Sequence, residues 1–328
     1  MAKADQVKAL IRSHAEGDDT RFYSIAMQVA AQEARSGRGR LAQELRDLVD
    51  RVKGHARPDP QDRTVGPVPL AQPRGELAGL LVAAYPKTRL ADMVLAERPR
   101  SRLARVLREQ RQRELLSTRG FTPLRTLLLL GPPGTGKTMT ASALAGELAV
   151  PLLTIQLDGL ITKFMGETAA KLRLVFDAIR ETRGVYLFDE FDALGGDRAA
   201  RNDVGEIRRV LNSFLQFLEQ DESESLILAA TNHPAILDRA LFRRFDAVVE
   251  YALPSAPHVE AVVSNRLGQL DLRKIAWKEV AGAAKGHSHA EIVRACEQAA
   301  KDALLDERTN VETRDLVEAL AERPAPRE

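Results

Sequence analysis

One stretch of the sequence has the residue types and spacing of a site for a polyphosphate. Residues 131–138 read GPPGTGKT and match the pattern G-x-x-x-x-G-K-[ST]. Glycine has no Cβ, so the backbone N–H groups of such a loop can turn toward phosphate oxygens. Lys137 is expected to reach the β- and γ-phosphates, and the Thr138 hydroxyl is expected to contact Mg²⁺. The other predicted nucleotide contacts in this stretch are Pro133, Gly134, Thr135, Gly136 and Met139.

The segments on either side of this loop suit the same chemistry. An apolar segment at 125–130 predicts a strand, and an alanine-rich segment at 137–149 predicts a helix. A helix that begins near Lys137 would point its positive end at the bound anion. A glycine turn without a ligand is the alternative, and the order strand, loop, helix argues against it. ATP and Mg²⁺ are therefore the expected ligands.

A second apolar segment ends in two acids. Residues 184–190 read GVYLFDE, and ligands bind at the carboxyl ends of the strands in open parallel sheets. Asp189 suits a contact with Mg²⁺, and Glu190 suits polarising a water that attacks the terminal phosphate. Solvated turn residues are the alternative for an acid pair at a strand end, but a phosphate loop earlier in the chain favours the metal and water site.

Three more polar residues follow in an order that suits phosphate hydrolysis. Asn232 comes directly after the apolar segment SLILAAT and is expected to orient the attacking water. Arg243 and Arg244 lie further along the chain. Arginine can spread the charge of a phosphoryl group in the transition state, and it can be supplied by a neighbouring subunit. Taken alone, Asn232 would be interpreted as a turn residue and the arginines as a solvated pair.

The pattern of apolar residues predicts strands alternating with helices over residues 76–252. Several strands are continuous apolar runs, as in sheets that are covered on both faces. This alternation predicts an α/β fold, a phosphate-loop NTPase with a parallel sheet, and residues 253–328 predict a C-terminal helical lid. Strands are predicted at 125–130, 152–156, 184–188, 225–230 and 247–251, and helices at 99–117, 137–149, 168–182 and 204–219.

The first 75 residues predict a separate module followed by a linker. Residues 1–53 carry three amphipathic helical patterns, enough for a small three-helix bundle. Residues 54–75 contain five prolines, which block helix formation and remove backbone donors, so a flexible linker is expected there. Docking of a partner protein is the preferred interpretation of residues 1–53, and a structural cap on the main domain is the alternative.

Charge and cysteine usage narrow the class of protein. The net charge of +2 over 328 residues gives no general attraction to nucleic acid or to an anionic membrane. The single cysteine, Cys296, cannot form an internal disulfide, and its place among alanines at helical spacing predicts a buried thiol. The apolar run at residues 127–130, like the other apolar runs, is far too short for a membrane span, and a lone thiol suits a reducing compartment, so a cytoplasmic location is expected.

Together these segments resemble the AAA ATPases over residues 76–322. The resemblance rests on GPPGTGKT, the FDE acids, the ATN segment at 230–232 and LDRALFRRFD at 237–246. The last segment looks like the arginine-finger segment of katanin and spastin. The resemblance implies ATP hydrolysis within a ring, typically a homo-hexamer, in which Arg243 and Arg244 enter the active site of the neighbour.

The resemblance extends into the predicted lid. Residues 286–298, GHSHAEIVRACEQ, are similar to the family segment G-x-S-G-A-D-I, which packs beside the nucleotide. His289 replaces the usual Gly and Glu291 replaces the usual Asp, and His287 stands at a position that is often aromatic. Near the start of the domain the resemblance places Asp92 beside the adenine, by position alone.

Residues 163–166 resemble the pore loop of substrate-threading AAA motors. Lys163 precedes Phe164, Met165 and Gly166, an aromatic–hydrophobic–glycine triplet. Such side chains could grip an extended polypeptide through apolar contacts that do not depend on its sequence. Without the resemblance, Phe164 and Met165 would be interpreted as core residues.

Three functions fit these observations, and the first of them is preferred. The first is Mg-ATP-driven remodelling, unfolding or disassembly of protein clients that pass through a hexameric pore. The second is a nucleotide-gated regulator of a separate effector such as a protease. The third is a nucleic-acid-acting ATPase, supported by segment 98–119 with its eight arginines, two glutamates and net charge of +6. A solvated or subunit-facing helix is the preferred interpretation of that segment, and nucleic acid is not the expected partner.

Overall fold

A computed structural model describes residue 73 and residues 75–160, 165–194, 204–233 and 239–323. The chain divides into two compact units, Met1–Gly66 and Pro67–Glu328, and every described residue belongs to the second. The predicted helical module at 1–53 and almost all of the predicted linker at 54–75 lie outside the described residues. Both therefore stay predictions.

A six-stranded sheet forms the centre of the large domain. Its strands lie in the order β1-β3-β4-β5-β2-β6, and all neighbours are parallel except the edge pair β1 and β3. The mostly parallel sheet, with helices on its faces and a helical lid after it, confirms the predicted α/β fold. The strands are β1 (Leu81–Ala84), β2 (Thr126–Leu130), β3 (Leu152–Ile155), β4 (Val185–Phe188), β5 (Leu226–Thr231) and β6 (Ala247–Glu250).

Helices cover the sheet and build the lid. In the large domain they are α1 (Glu97–Arg111), α2 (Arg113–Ser117), α3 (Lys137–Leu148), α4 (Leu157–Leu160), α5 (Met165–Glu181), α6 (Val204–Gln220) and α7 (Arg239–Phe242). In the lid they are α8 (Ala256–Leu267), α9 (Trp277–Ala283), α10 (His289–Leu305) and α11 (Thr313–Ala321). Short 3-10 helices span Gly75–Gly79, Leu90–Asp92 and Phe191–Leu194. No helix in the described part of the chain has the length and apolarity to cross a membrane.

Alternate residues of strand β2 enter two different cores. Leu128 and Leu130 pack in a core with residues of α5 and α6, whereas Leu127 and Leu129 pack in a core with residues of α1 and α3. Successive side chains of a strand point to opposite faces of the sheet, so every residue of β2 is buried. This explains why the strand reads as an unbroken run of leucines after Thr126.

Two features of the large domain differ from the prediction. Strand β1 was not predicted, and it pairs antiparallel with β3 from Leu81 opposite Ile155 to Ala84 opposite Leu152. Four residues of LVAA carry little periodicity, so the pairing depends on tertiary contact. The single helix predicted at 99–117 is wrong, because the chain leaves helical geometry at Gln112 (φ −106°, ψ 21°) and forms α1 and α2.

Several arginines of the basic segment 98–119 form contacts within the chain. Helix α1 buries Leu103, Val106 and Leu107 against the sheet, and its arginines lie on the other side. Four of these contacts are Arg102 with the Val248 carbonyl, Arg105 with Glu109, Arg111 with Glu147 and Arg113 with Glu224. Three of the eight arginines are therefore paired with carboxylates of the chain.

The lid has a core of its own. Its four helices bury a separate apolar cluster that includes Val263, Val280, Ile292 and Leu316. Cys296 is fully buried there, as predicted, and burial raises the pKa of its thiol to about 12. The thiol is therefore protonated and unreactive at neutral pH.

The connection from sheet to lid is short and is anchored at its first residue. Tyr251 follows β6, its N–H donates to the Leu130 carbonyl at 2.7 Å, and its hydroxyl lies 2.6 Å from Thr140 Oγ1. Burial raises the pKa of this hydroxyl to about 12. Helix α8 already begins at Ala256, so residues 252–255 are the whole hinge.

A backbone segment crosses helix α3 at Gly146. A Cβ at this position would lie 2.2 Å from the Thr88 carbonyl oxygen, and Arg89 Nη1 donates to the Gly146 carbonyl at 2.7 Å.

We expect Gly146→Ala to lower the free energy of unfolding by about 1–3 kcal/mol, because the backbone of residue 88 must move. Gly282→Ala in α9 is the control, since nothing lies within 4 Å of its Cβ, and we expect it to stabilise by about 0.5 kcal/mol. Denaturant unfolding measures both, and equal values would contradict the close approach.

Candidate functional site

The phosphate loop lies between strand β2 and helix α3, at the carboxyl edge of the sheet. The N–H of Gly131 donates to the Thr231 carbonyl of the neighbouring strand at 3.4 Å. Gly131, Gly134 and Gly136 have φ values of 148°, 73° and 105°, and residues with a side chain rarely adopt such angles. The loop therefore has the backbone that a phosphate cradle needs, with no Cβ at these three positions.

Lys137 is the first residue of α3, and its ammonium is held at the loop. Nζ donates to the carbonyls of Gly131 and Pro132 at 2.7 and 2.8 Å. Burial lowers the pKa of Lys137, while the nearby carboxylates of Asp189 and Asp192 act to raise it. A buried ammonium at a loop with this backbone is a strong attraction for a polyphosphate.

Two oxygen ligands meet beside the loop. Thr138 Oγ1 donates to Asp189 Oδ2 at 2.6 Å, although the two residues lie on different elements, α3 and the end of β4. Hydroxyl and carboxylate oxygens are the protein ligands that Mg²⁺ prefers. The sequence prediction that these residues share one site is consistent with this distance, and the pair fits a magnesium ion.

Glu190 has a strained backbone. Its φ of 51° lies in the left-handed region, which residues other than glycine seldom occupy. Its N–H donates to Asp189 Oδ1 at 3.0 Å, a contact that helps to hold this conformation. Strain of this kind is retained where the surroundings enforce it, and it is common in active sites.

Asp192 is a site residue that the sequence reasoning missed. Its Oδ1 accepts the backbone N–H of Asn232 at 3.3 Å, so it joins the segment after β4 to the end of β5. It is also one of the two carboxylates that act on the pKa of Lys137. The signal was present in the string FDEFDAL, where a third acid follows Asp189 by three residues and the intervening 3-10 helix brings it back to the site.

The lid contacts the phosphate loop directly. The N–H of Ala290 donates to the Gly134 carbonyl at 3.0 Å, and a Cβ on Gly134 would lie 2.5 Å from Ser288 Oγ. Ser288 caps helix α10 in a reciprocal pair with Glu291, whose carboxylate accepts the Ser288 N–H at 2.6 Å. Glu291 is therefore a capping residue, and the exchange of Asp for Glu leaves this end of the lid well formed.

Of the residues predicted near the nucleotide base, Asp92 makes a local contact and its neighbour Met93 lies beside the loop. Asp92 Oδ2 accepts the N–H of Arg89 at 2.7 Å and so caps its own turn. Its neighbour Met93 is buried instead, with its methyl group 3.3 Å from where a Cβ of Gly136 would lie. Met139, directly after Thr138 in α3, is 41% exposed and available for contact with a ligand.

The two predicted finger arginines differ in their surroundings. Both are exposed after the end of α7, and Arg244 forms an ion pair with Glu219 of α6. Arg243 makes no ion pair with any described residue. Of the predicted pore loop, Lys163 and Phe164 lie outside the described residues, and α5 begins at Met165 and Gly166.

Comparison with known proteins decides the family. A family model described as "ATPase family associated with various cellular activities (AAA)" matches residues 127–253. The "Uncharacterized AAA family ATPase y4kL" of Sinorhizobium fredii is 31% identical over 325 residues, which are 98% of this chain and 95% of that protein. The chain is an AAA ATPase. It is accordingly an ATP hydrolase, and members of this family bind ATP, generally with Mg²⁺.

Other AAA proteins match a smaller share of the chain. The ATP-dependent zinc metalloprotease FtsH 1 of Methylacidiphilum infernorum is 40% identical over 59% of this chain and 32% of its own length. The proteasome-activating nucleotidase of Methanococcus vannielii is 34% identical over 63% of this chain and 53% of its own. The crystal structure of the FIGL-1 AAA domain superposes with a TM-score of 0.60 and 25% identity, over 76% of this chain and 87% of that one. This AAA ATPase thus spans about a third of the length of the FtsH 1 protein and about half of the length of the proteasome-activating nucleotidase.

Removal of the Lys137 ammonium tests the phosphate loop. We expect Lys137→Ala to weaken ATP binding roughly 10- to 150-fold, since a hydrogen bond to a charged group contributes about 1.5–3 kcal/mol. Titration with a fluorescent ATP analogue measures the loss. The exposed Lys87→Ala variant is the control and should bind normally. Tight ATP binding by the Lys137 variant would refute the assignment of the loop.

Neutralising Glu190 tests the water site. We expect Glu190→Gln to bind ATP with near-normal affinity but to hydrolyse it roughly 100- to 10,000-fold more slowly, the usual loss when a general base is removed. Phosphate release and nucleotide binding are measured on the same preparation. Glu222→Gln changes an exposed carboxylate elsewhere and should have no effect on either. Normal turnover by the Glu190 variant would exclude this residue from the mechanism.

Proposed function

We propose that this AAA ATPase uses Mg-ATP hydrolysis in a homo-hexameric ring to remodel, unfold or disassemble protein substrates that pass through its pore. One observation carries the proposal: a complete phosphate-loop and acid-pair site is in contact with its lid at Gly134. The names of the relatives support an action on proteins, because they include a proteasome-activating nucleotidase and an ATP-dependent zinc metalloprotease.

In this proposal each residue of the site has one task. Lys137 and the loop N–H groups bind the phosphates, and Thr138 with Asp189 would hold Mg²⁺. Bound Mg²⁺ neutralises negative charge on the phosphates. Glu190 takes the proton of the attacking water, and Asn232, held through its N–H by Asp192, orients that water. Pro133, Gly134, Thr135 and Gly136 complete the loop, and Met139 lies toward the sugar and base.

The ring completes the site. Arg243 and Arg244 of one subunit would reach the phosphates bound by the next and stabilise transition-state charge. Arg243 is exposed and makes no ion pair with a described residue, whereas Arg244 must first leave Glu219. Since a guanidinium–carboxylate pair at a surface contributes little, about 0–1 kcal/mol, assembly can break it at low cost.

Substrate contacts are assigned to residues 163–166, of which 163 and 164 lie outside the described residues, and to residues 1–53, which all lie outside them. Lys163, Phe164, Met165 and Gly166 would line the pore and grip an extended polypeptide, and residues 1–53 would dock a partner. The cytoplasm suits a chain whose one cysteine is a buried thiol. Nucleic acid is a poor candidate for the partner, because Arg102, Arg105, Arg111 and Arg113 already have partners in the chain.

A second candidate function is regulation of a separate protease by nucleotide. The names of the two relatives above favour it. The 328 residues contain no H-E-x-x-H motif, and the described residues contain no group of three His, Cys, Asp or Glu that could hold a metal ion. In this version the protease would be a different chain that docks on the ring or on residues 1–53.

Trapping clients tests the threading proposal. The Glu190→Gln protein is purified with ATP from its native cells, beside Phe164→Ala/Glu190→Gln and the conservative control Phe164→Tyr/Glu190→Gln. Mass spectrometry identifies the co-eluting proteins. We expect client proteins to co-elute with the first and third variants. The second variant should retain less client by roughly tenfold or more, because loss of the aromatic contact costs a few kcal/mol.

Three other results would redirect the assignment. The same proteins on all three variants would mean docking without a grip and would favour the protease regulator. If the shared proteins include a protease, that protease would be the effector that this ATPase regulates. Co-purifying nucleic acid that is released by a moderate rise in salt would favour the nucleic-acid-acting alternative.

A further inference from the structure

A buried pair of hydroxyl groups joins the end of the sheet to the helix that follows the phosphate loop. Tyr251 comes directly after strand β6, and Thr140 lies three residues after Lys137 in helix α3. Their hydroxyl oxygens are 2.6 Å apart, although 111 positions separate the two residues in the chain. Thr140 is fully buried and Tyr251 is 7% exposed. Polar groups are costly inside an apolar core unless they are paired, so this pair points to a specific constraint.

The acceptors around these hydroxyls fix the direction of the hydrogen bonds. Thr140 Oγ1 lies 3.0 Å from the carbonyl oxygen of Gly136, and a carbonyl can only accept. Thr140 has a single hydroxyl proton and uses it in that bond, so the Tyr251 hydroxyl is the donor to Thr140. Burial raises the pKa of Tyr251 to about 12, which keeps this proton in place at neutral pH. A hydroxyl relay therefore runs from Tyr251 through Thr140 to the Gly136 carbonyl.

Tyr251 also contacts the first residue of the phosphate loop. Its N–H donates to the Leu130 carbonyl at 2.7 Å, and a Cβ on Gly131 would lie 2.4 Å from the Tyr251 carbonyl oxygen. The backbone of Tyr251 thus lies against one end of the loop, and its side chain reaches the other end through the hydroxyl relay. A loop with glycine at both ends is flexible by itself, so contacts from outside must hold it in one shape.

Lys137 closes the same loop with a second set of bonds. Its Nζ donates to the carbonyls of Gly131 and Pro132 at 2.7 and 2.8 Å. An ammonium has three N–H donors, so a phosphate that binds Lys137 competes with these two carbonyls. The contacts of Tyr251 do not involve the ammonium and are not subject to that competition. They are therefore the contacts that can hold the loop when Lys137 turns to a phosphate.

We propose that Tyr251 is a positioning residue of the ATP site, which holds both ends of the phosphate loop in the shape that binds phosphates. The proposal rests on the assignment of the phosphate loop and does not require the ring. Gly136 directly precedes Lys137 and Thr138, so a shift of its carbonyl would displace both of these ligands. The loop holds the phosphates before and during hydrolysis alike, so we expect an effect on binding rather than on the chemical step.

Removal of one hydroxyl group tests the proposal. Tyr251→Phe keeps the aromatic ring in the core and deletes only the donor to Thr140. We expect ATP binding to weaken about three- to tenfold, the usual effect of one neutral hydrogen bond, with kcat within about twofold of the parent. Titration with a fluorescent ATP analogue gives the affinity, and steady-state phosphate release from the same preparation gives kcat.

A second buried tyrosine provides the matched control. Tyr186 in β4 is fully buried, and its hydroxyl donates to the carbonyls of Ala178 and Thr182, both at 2.8 Å. We expect Tyr186→Phe to lower the thermal midpoint at least as much as Tyr251→Phe does, because two bonds are lost. Its affinity for ATP should equal that of the parent. The comparison separates a general loss of stability from a loss of positioning.

Variants of Thr140 test the relay from its other side. We expect Thr140→Val to weaken ATP binding as much as Tyr251→Phe does, and the double variant to show no further loss, because the two hydroxyls act as one unit. Thr140→Ser keeps the hydroxyl and should bind ATP within about twofold of the parent. Thr140 belongs to α3 and not to the hinge, so agreement between the two single variants assigns the effect to the phosphate loop rather than to the lid.

The outcomes separate this role from the phosphate-loop assignment itself. Equal ATP affinities of the two tyrosine variants would overturn the positioning role, and so would fully additive losses in the Tyr251/Thr140 double variant. A fall in kcat at unchanged affinity would overturn it as well. Tight ATP binding by Lys137→Ala would refute the loop, and the role of Tyr251 with it, whereas normal binding by Tyr251→Phe beside a defective Lys137→Ala would refute the role of Tyr251 alone.

Discussion

Gly134 carries no side chain, and the lid occupies the space that a side chain would fill. Ser288 and Ala290 pack against this one position of the phosphate loop, and the Ala290 N–H donates to the Gly134 carbonyl. The loop is therefore confined by the sheet on one side and by the lid on the other. Every other part of the site depends on that confinement, because the ammonium of Lys137 and the hydroxyl of Thr138 project from the helix that the loop begins.

The sheet supplies the second requirement, which is that acids from separate strands reach one place. β2, β5 and β4 are parallel neighbours, so their carboxyl ends lie side by side. Asp189 thereby meets Thr138, and Asp192 meets the backbone of Asn232. The parallel strands are buried on both faces, as the unbroken leucines of β2 show for one of them.

Features that are encoded by residues close together in the chain could be predicted from the sequence. The phosphate loop, five of the strands and the buried Cys296 were predicted, because a motif or a run of apolar residues contains each of them. Strand β1, the break at Gln112 and the carboxylate of Asp192 were not, since each depends on a partner distant in sequence. Glu291 is a further example. The sequence showed only that Glu stands where the family usually has Asp, whereas the structure shows that its carboxylate caps the helix at Ser288.

The anchored hinge has a mechanical consequence for the lid. Tyr251 is tied to Leu130 and Thr140, and α8 begins five residues later at Ala256. Four hinge residues span at most about 14 Å even when extended, so the lid can pivot but can hardly translate. A pivot at that point turns small displacements beside Gly134 into larger arcs at Leu305, on the far end of a seventeen-residue helix. A lid that pivots there would act as a lever, with the contact at Gly134 on its short arm and the tip of the helix on its long arm.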